Sequence, residues 1–183
     1  FSLSAQSNVN ITDIRLHYTV DQLSRAQVTS EVYIEFVPAT TVDASWTWDM
    51  RRTGELPSGS NVEYWWTVED TKGDKTETTP VRVQFDDARY SWRNLSESKI
   101  TIYWYRGDES FAHQLMTTAQ QALARLAEDT GAYLEKPVKA YIYASAQDLQ
   151  GAMIYPQEWT GGAAFTRHSI IVLGIAPNTL DWG

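Results

Sequence analysis

The sequence predicts a mixed fold in two regions: an antiparallel β-sandwich over residues 1–88, and an α/β (α+β) mixed-sheet region over residues 99–183. Residues 89–98 are predicted to form the linker. The charge distribution predicts this division, because residues 1–88 carry 14 acidic and 7 basic side chains, whereas residues 89–183 carry 9 and 8. The spacing of apolar residues predicts it too, because alternation gives way to helical periodicity at the same place.

The composition excludes several classes of protein. A chain of 183 residues, 43% of them hydrophobic, is long enough for one large domain or two small ones. The net charge of −8 excludes a nucleic-acid partner, since binding phosphates requires a concentrated basic surface. The absence of cysteine excludes disulfides and thiolate metal sites. No apolar run reaches the ~18 residues that predict a transmembrane helix.

Strict alternation of apolar and polar residues predicts short strands in the first region. For example, Val32, Ile34 and Phe36 share one face of a run whose other face is polar or mixed. Turn-forming residues separate such runs, as at Pro57–Gly59. The runs with this pattern are residues 14–20, 32–36, 46–50, 62–68 and 81–85. Short strands at this spacing, without helical periodicity, predict an antiparallel sandwich.

The stretch Pro57–Gly73, PSGSNVEYWWTVEDTKG, carries a resemblance for the first region. A Pro-Gly turn leads to a tyrosine-containing strand, which ends in an Asp-x-x-Gly hairpin. This stretch resembles the late strand pair of immunoglobulin-like and fibronectin type III-like domains. The resemblance implies an immunoglobulin-like sandwich and indicates no ligand.

Alternation also sorts the tryptophans of this region. Trp46, Trp48 and Trp66 fall on apolar faces and are predicted to be in the core. Trp65 falls on the polar face, between Glu63 and Thr67, and is the candidate for a surface contact. One interpretation is a stacking platform for a sugar, and the other is packing against the neighbouring domain.

The second region is predicted to alternate strands and helices. Asp108 is a suitable N-cap for a long helix through about residue 129, and Gly131 is its C-terminal stop. Ser145 and Asp148 form the start of a short helix that ends near residue 153. The predicted strands are residues 99–105, 138–143, 163–166 and 169–173, and the last is apolar on both faces. A strand apolar on both faces is typical of the middle of a sheet.

The residues alone reveal no catalytic set and no metal site. The three histidines, His17, His113 and His168, are scattered, with no pair at helical i, i+4 spacing. Neither a Gly-x-Ser-x-Gly elbow nor a phosphate-binding glycine loop occurs. We therefore assign no catalytic and no metal-binding residue, and expect no cofactor in this chain.

The order of elements in the second region carries a second resemblance. A strand, a helix ending in Thr130-Gly131, a strand led by Pro137, a short helix, Trp159-x-Gly161-Gly162-x-Ala164 and an apolar strand follow one another. This order resembles the N-terminal part of the peptidase MA-like, or gluzincin-type, zinc metallopeptidases. Bacterial members of that family place a sandwich domain in front of it. The resemblance implies that the next element, after residues 181–183, is the helix with His-Glu-x-x-His.

The chain has no match to that motif, so the zinc ligands and the general base of the family cannot be placed on any of its residues. The resemblance does imply a strand that pairs with the backbone of a peptide substrate. The matching stretch is Gly161, Gly162, Ala163, Ala164 and Phe165, whose two glycines permit close backbone approach. The alternative interpretation is a tight turn that leads into a hairpin.

The leading hypothesis is thus a non-catalytic N-terminal fragment of a zinc-dependent metallopeptidase. The intact parent would bind zinc and a peptide or protein substrate. The alternative is an extracytoplasmic binding or adhesion module that uses exposed aromatics, such as Trp65 or Trp159, for glycan or protein contacts. Both hypotheses imply an extracytoplasmic or cell-surface location, which the lack of cysteine does not contradict.

Overall fold

The computed structural model describes residues 1–21, 27–53 and 56–179. The chain forms two compact units. The first takes Phe1–Gly54 and Ser60–Phe85, and the second takes Glu55–Gly59 and Asp86–Gly183. Residues 180–183, where the sequence predicts that the next helix is about to begin, lie outside the described residues.

The first unit is one antiparallel, six-stranded sheet. Its two long strands, β1 and β4, lie side by side in the middle. Strands β2 and β3 pair with β1, and strands β5 and β6 pair with β4. The strands are β1 (Ser2–Val20), β2 (Thr29–Tyr33), β3 (Ala39–Ser45), β4 (Ser60–Asp70), β5 (Lys75–Glu77) and β6 (Val81–Phe85), and a short helix α1 (Met50–Thr53) follows β3.

This sheet folds over on itself. The ring of Phe1 lies 4.8 Å from the ring of Tyr64, and Tyr64 is paired with Tyr18 in the sheet. A straight strand from Phe1 to Tyr18 would be roughly 56 Å long, so β1 must bend. The pairing register of β1 shifts between Gln6 and Asp13, as a bulge requires. The two layers enclose a single core, which confirms the predicted β-sandwich.

One predicted strand of this unit is wrong. Residues 46–50 alternate in sequence, but β3 ends at Ser45 and α1 begins at Met50. Trp46 and Trp48 stay half-buried because both rings pack against Phe1 and Tyr18. The backbone of Trp46 still pairs with that of Phe1, and beyond Trp46 the alternation reflects an aromatic cluster, not strand pairing with any described strand.

The second unit is a five-stranded mixed sheet with helices, in the order β10-β11-β9-β8-β7. The three central strands are parallel, and each edge strand is antiparallel to its neighbour. The elements are β7 (Arg93–Glu97), β8 (Ile100–Trp104), α2 (Glu109–Thr130), β9 (Val138–Tyr143), α3 (Ala146–Gln150), β10 (Gly162–Phe165) and β11 (Ile170–Gly174). Short 3-10 turns lie at Thr166–His168 and Pro177–Thr179. The predicted mixed-sheet region is confirmed.

The predicted ends of α2 are also confirmed. The Asp108 carboxylate accepts a hydrogen bond from the backbone N–H of Phe111, as an N-cap does. Gly131 takes the left-handed conformation, at φ 70°, and its N–H donates to the carbonyl of Ala127. The helix buries Phe111 and Leu115 against one face of the sheet.

The predicted linker, residues 89–98, needs correction. It contains strand β7, which pairs with β8 along its whole length, and Leu95 packs against the core under α2. Leu95 is the one apolar side chain of β7, so the segment has no alternation of apolar residues that would predict a strand. The segment is thus part of the second unit.

The second unit also takes a short segment from within the predicted sandwich region. Leu56, Ser58 and Gly59 are buried, and the Ser58 hydroxyl lies 3.1 Å from the hydroxyl of Tyr143 on β9. The turn predicted at this place is present, at Ser58 and Gly59, and it is buried.

Candidate functional site: the free edge of strand β10

The stretch predicted to contact a substrate lies at one edge of the second unit's sheet. Strand β10, Gly162–Phe165, pairs with β11 on one side, and no other described strand pairs with it. Gly161 directly precedes it. The structure thus places Gly162, Ala163, Ala164 and Phe165 on an edge strand, with Gly161 immediately before it, and their role in binding a substrate stays a prediction.

The hydrogen-bonding pattern shows which backbone groups of β10 face outward. The N–H of Gly174 donates to the carbonyl of Gly161, at 2.9 Å. Directly opposed residues of antiparallel strands alternate between hydrogen-bonded and non-hydrogen-bonded pairs. With the observed register, Ala163 and Phe165 bond to β11. The N–H and C=O groups of Gly162 and Ala164 therefore point away from β11, toward the free edge.

The two glycines are not there for a tight turn. Neither Gly161 nor Gly162 has a positive φ, so their backbone conformation is open to other residues. The connection between β10 and β11 lies further on, in the 3-10 turn Thr166–His168 and at Ser169, whose φ is 54°. A Cβ at Gly162 would lie 2.7 Å from Cδ2 of Leu173, so the end of the Leu173 side chain would have to move to admit one.

The inner side chains of β10 are anchored in a tyrosine-rich core. Ala163 and Phe165 pack against the cluster around Tyr141 and Tyr143. Burial raises the pKa of both phenols above the ordinary value, and their hydrogen bonds to carboxylates raise it further. These hydroxyls therefore remain neutral hydrogen-bond donors at neutral pH. The two tyrosines form part of the core on which β10 packs.

The segment before β10 exposes aromatic side chains while its backbone is held in place. The amide nitrogen of Gln150 donates to the carbonyl oxygens of Glu158, at 2.9 Å, and Thr160, at 3.2 Å. The side chains of Tyr155 and Trp159 are each 83% exposed. Alternation in the sequence selects Trp65 as the surface aromatic and does not predict the exposure of Tyr155.

Trp65 lies on the first unit and is half-buried. Its ring stacks on His17, with centroids 5.4 Å apart and an interplanar angle of 11°. His17 and Trp65 are cross-strand partners in the sheet, a relationship that the two strand patterns alone do not reveal. One face of the Trp65 ring is thus already occupied, and its role as a surface contact stays a prediction.

The described residues do not fit a catalytic zinc site. They contain no cluster of three or more His, Cys, Asp or Glu side chains. His17 lies beside Thr67 in the first unit, whereas His113 lies on α2 near Glu97 and His168 lies in the 3-10 turn after β10. The zinc that the gluzincin resemblance implies has no ligand set among these residues.

Comparison with protein families bears on this part of the chain. Residues 118–183 match the family model of the Peptidase MA superfamily. These residues are a peptidase MA-like region, which runs from within α2 through β11 and includes the whole of β10. Comparisons with curated proteins and with solved structures yield no match.

Among the described residues, every helix is too short or too polar to span a lipid bilayer.

Proposed function

We propose that this chain is the peptide-binding front part of a zinc-dependent metallopeptidase of the gluzincin type, and that β10 binds the substrate backbone by strand addition. The observation that carries the proposal is that β10 is an edge strand within the peptidase MA-like region. Its outward backbone groups, at Gly162 and Ala164, are the donors and acceptors that an extended peptide requires.

The side chains of β10 suit this use. Gly162 and Ala164 are exposed and small, so a second backbone is able to approach to the ~4.8 Å spacing of paired strands. A long, apolar edge would also recruit unwanted strands. Strand β10 has only four residues, which limits such pairing to short segments.

The proposal divides the chemistry between this chain and the rest of its parent. The residues of this chain bind and align the peptide, and the zinc ligands and general base belong to a His-Glu-x-x-His helix elsewhere in the parent. The chain alone is then expected to hydrolyse no peptide and to bind no catalytic zinc. Calorimetric titration with zinc chloride tests this, and tight stoichiometric binding would contradict it.

The same proposal covers the origin and the cellular location of the parent protein. It also covers the family to which the sandwich of the first unit is related. We place the parent in bacteria, outside the cytoplasm or at the cell surface, and we regard the sandwich as immunoglobulin-like. The support is the order of a β-sandwich followed by a peptidase MA-like region. Fractionation of the native host, with an antibody against this chain, would locate the protein.

Proline at position 164 tests the strand addition. The N–H of Ala164 points away from β11, so Ala164→Pro removes a donor for the peptide without removing a hydrogen bond of the sheet. The matched control is Ala164→Ser, which keeps the N–H. The probe is an acetylated, amidated heptapeptide with six threonines around a central leucine, because threonine favours extended structure.

Binding is followed by the backbone amide resonances of the isotope-labelled chain. We expect the largest shifts at Gly162 and Ala164, and about tenfold weaker binding for Ala164→Pro than for Ala164→Ser. A peptide that is N-methylated at every residue lacks backbone donors on both of its edges and should bind neither variant. Equal affinity of the two variants, or shifts centred on another edge, would refute the proposal.

A second candidate function has one observation in its favour. Trp159 is 83% exposed on the segment before β10, as a side chain that contacts a glycan or a partner protein would be. A glycan array probed with the wild type and Trp159→Ala, with Trp65→Ala in parallel, separates the two functions. Glycan binding that is lost with either substitution would favour the adhesion module.

A further inference from the structure

Gly162 has no side chain, and the side chain of Leu173 occupies part of the space that a side chain at position 162 would take. The position of a Cβ on Gly162 is 2.7 Å from Cδ2 of Leu173 and 3.2 Å from the carbonyl oxygen of Val172. Gly162 and Leu173 are directly paired in the sheet. The side chain of Leu173 therefore extends over the Gly162 backbone toward the free edge. It is partly buried, packed on one side against the core under α2.

Side chains of paired residues lie on the same face of a sheet. A peptide residue paired with Gly162 would thus place its side chain on the face of Leu173. Alternate strands are ~10 Å apart, which is normally too far for contact between their side chains. Here the intervening residue has no side chain and Leu173 fills part of the distance, so a large side chain on the peptide meets an apolar surface.

The other positions of β10 offer no such opening. Ala164 carries its methyl group on the same face, in front of Ile171, and Ala163 and Phe165 present their side chains to the opposite face. Selectivity at this edge is therefore expected at one position of the peptide.

We infer that the β10 edge selects extended peptides with a large apolar side chain, such as leucine, methionine or phenylalanine, at the position paired with Gly162. Leu173 is the specificity-determining residue of this subsite. The inference rests on the proposed strand addition and adds a substrate class to it.

The test compares two heptapeptides that differ only in the central residue of a polythreonine sequence, which is leucine in one and alanine in the other. Burial of part of a leucine side chain predicts about five- to tenfold tighter binding of the leucine peptide to the wild-type chain. Leu173→Ala should reduce the preference to near unity while the alanine peptide still binds. Leu173→Met, which keeps the volume, should restore most of it.

Leu126→Ala is the control, because Leu126 is an apolar side chain of α2 that is 47% exposed and lies outside β10 and β11. It should leave the preference unchanged. Thermal unfolding checks that each variant folds. If Leu173→Ala does not fold, a series of leucine, methionine, phenylalanine, serine and lysine peptides on the wild-type chain decides the question instead.

The outcomes separate this inference from the proposed function. Amide shifts at Gly162 and Ala164 with equal affinity for both peptides would overturn the subsite and leave strand addition standing. A leucine preference that persists in Leu173→Ala would overturn it as well. No shift at β10 with any peptide would overturn both.

Discussion

The ammonium group of Lys139, on β9, donates a 2.7 Å hydrogen bond to the backbone carbonyl of Gly59. The two residues are 80 positions apart in sequence, and Gly59 is buried. A buried carbonyl must be paired, and a charged donor makes one of the stronger hydrogen bonds in proteins. This bond therefore holds the segment Glu55–Gly59 in the second unit.

Lys139→Met removes this donor and keeps most of the aliphatic side chain. Because the carbonyl of Gly59 then stays buried without this partner, we expect the free energy of unfolding to fall by about 1–3 kcal/mol. Urea unfolding followed by tryptophan fluorescence measures it. Lys136→Met is the matched control, since Lys136 is exposed, and it should change the stability by less than about 0.5 kcal/mol. Equal effects of the two substitutions would contradict the role of Lys139.

Gly59→Ala should destabilise the second unit for two reasons. The residue has a φ of 91°, which costs an L-residue about 1–2 kcal/mol. Its Cβ would also lie 2.5 Å from Cε2 of Tyr141, and such overpacking typically costs about 1–3 kcal/mol more. Gly131→Ala is the control, because Gly131 has a φ of 70° but no neighbour within 4 Å of a Cβ. In thermal unfolding, the Tm of Gly59→Ala should lie well below that of Gly131→Ala. The reverse order would exclude the steric contribution.

The second unit should lose stability in alkaline solution. Burial raises the pKa of Tyr105, Tyr141 and Tyr143 above the ordinary value of 10.0. A group with a raised pKa in the folded state contributes stability below its unfolded pKa, and this contribution is lost as the pH rises above that value. The urea concentration at the midpoint of unfolding should thus decrease from about pH 10 upward. The tyrosinate absorbance of these residues should rise at a higher pH than that of exposed tyrosines. Tyr141→Phe should weaken this dependence, and an unchanged profile in that variant would contradict the assignment.

The loss of stability in acid solution should depend on the ionisation of Asp87. Burial alone would raise the pKa of its carboxyl, but the hydrogen bonds and the charge of Arg89 outweigh it, so the pKa lies below 3.8. A depressed pKa contributes stability above the unfolded value, and this stability disappears as the pH falls through the folded value. Asp87→Asn should remove this part of the acid dependence, and Arg89→Met should reduce it. Urea unfolding at several pH values below 3.8 and at pH 7 measures the acid dependence of both variants. If either variant loses stability in acid as the wild type does, the pairing of Asp87 with Arg89 is refuted.

Local signals were enough to predict much of the fold. Asp108 and Gly131 mark the ends of α2 because capping involves only residues within one turn of the helix. Alternation predicts most strands of the first unit for a similar reason, since the period of two is a property of any strand with one buried face. The candidate site at Gly161–Phe165 was predicted from a resemblance and a pair of glycines, and its role stays a prediction.

The errors lie where pairing between distant residues decides the structure. Strand β7 carries one packed apolar side chain, Leu95, and looks like a linker until β8 lies beside it. Residues 46–50 show the reverse case: their alternation is real, but beyond Trp46, whose backbone pairs with Phe1, no described strand pairs with them. Pairing requires a partner, and the sequence of one segment does not contain it.

The sequence by itself determined the two classes of region, the long helix and the strand that carries the two glycines, because periodicity and capping are local. Only the tertiary structure decided that β10 is an edge strand, that Leu173 leans over Gly162, and that Glu55–Gly59 belongs to the second unit. Each of these depends on the order of strands in a sheet or on contacts across many residues. Such contacts arise from packing, which no local pattern encodes.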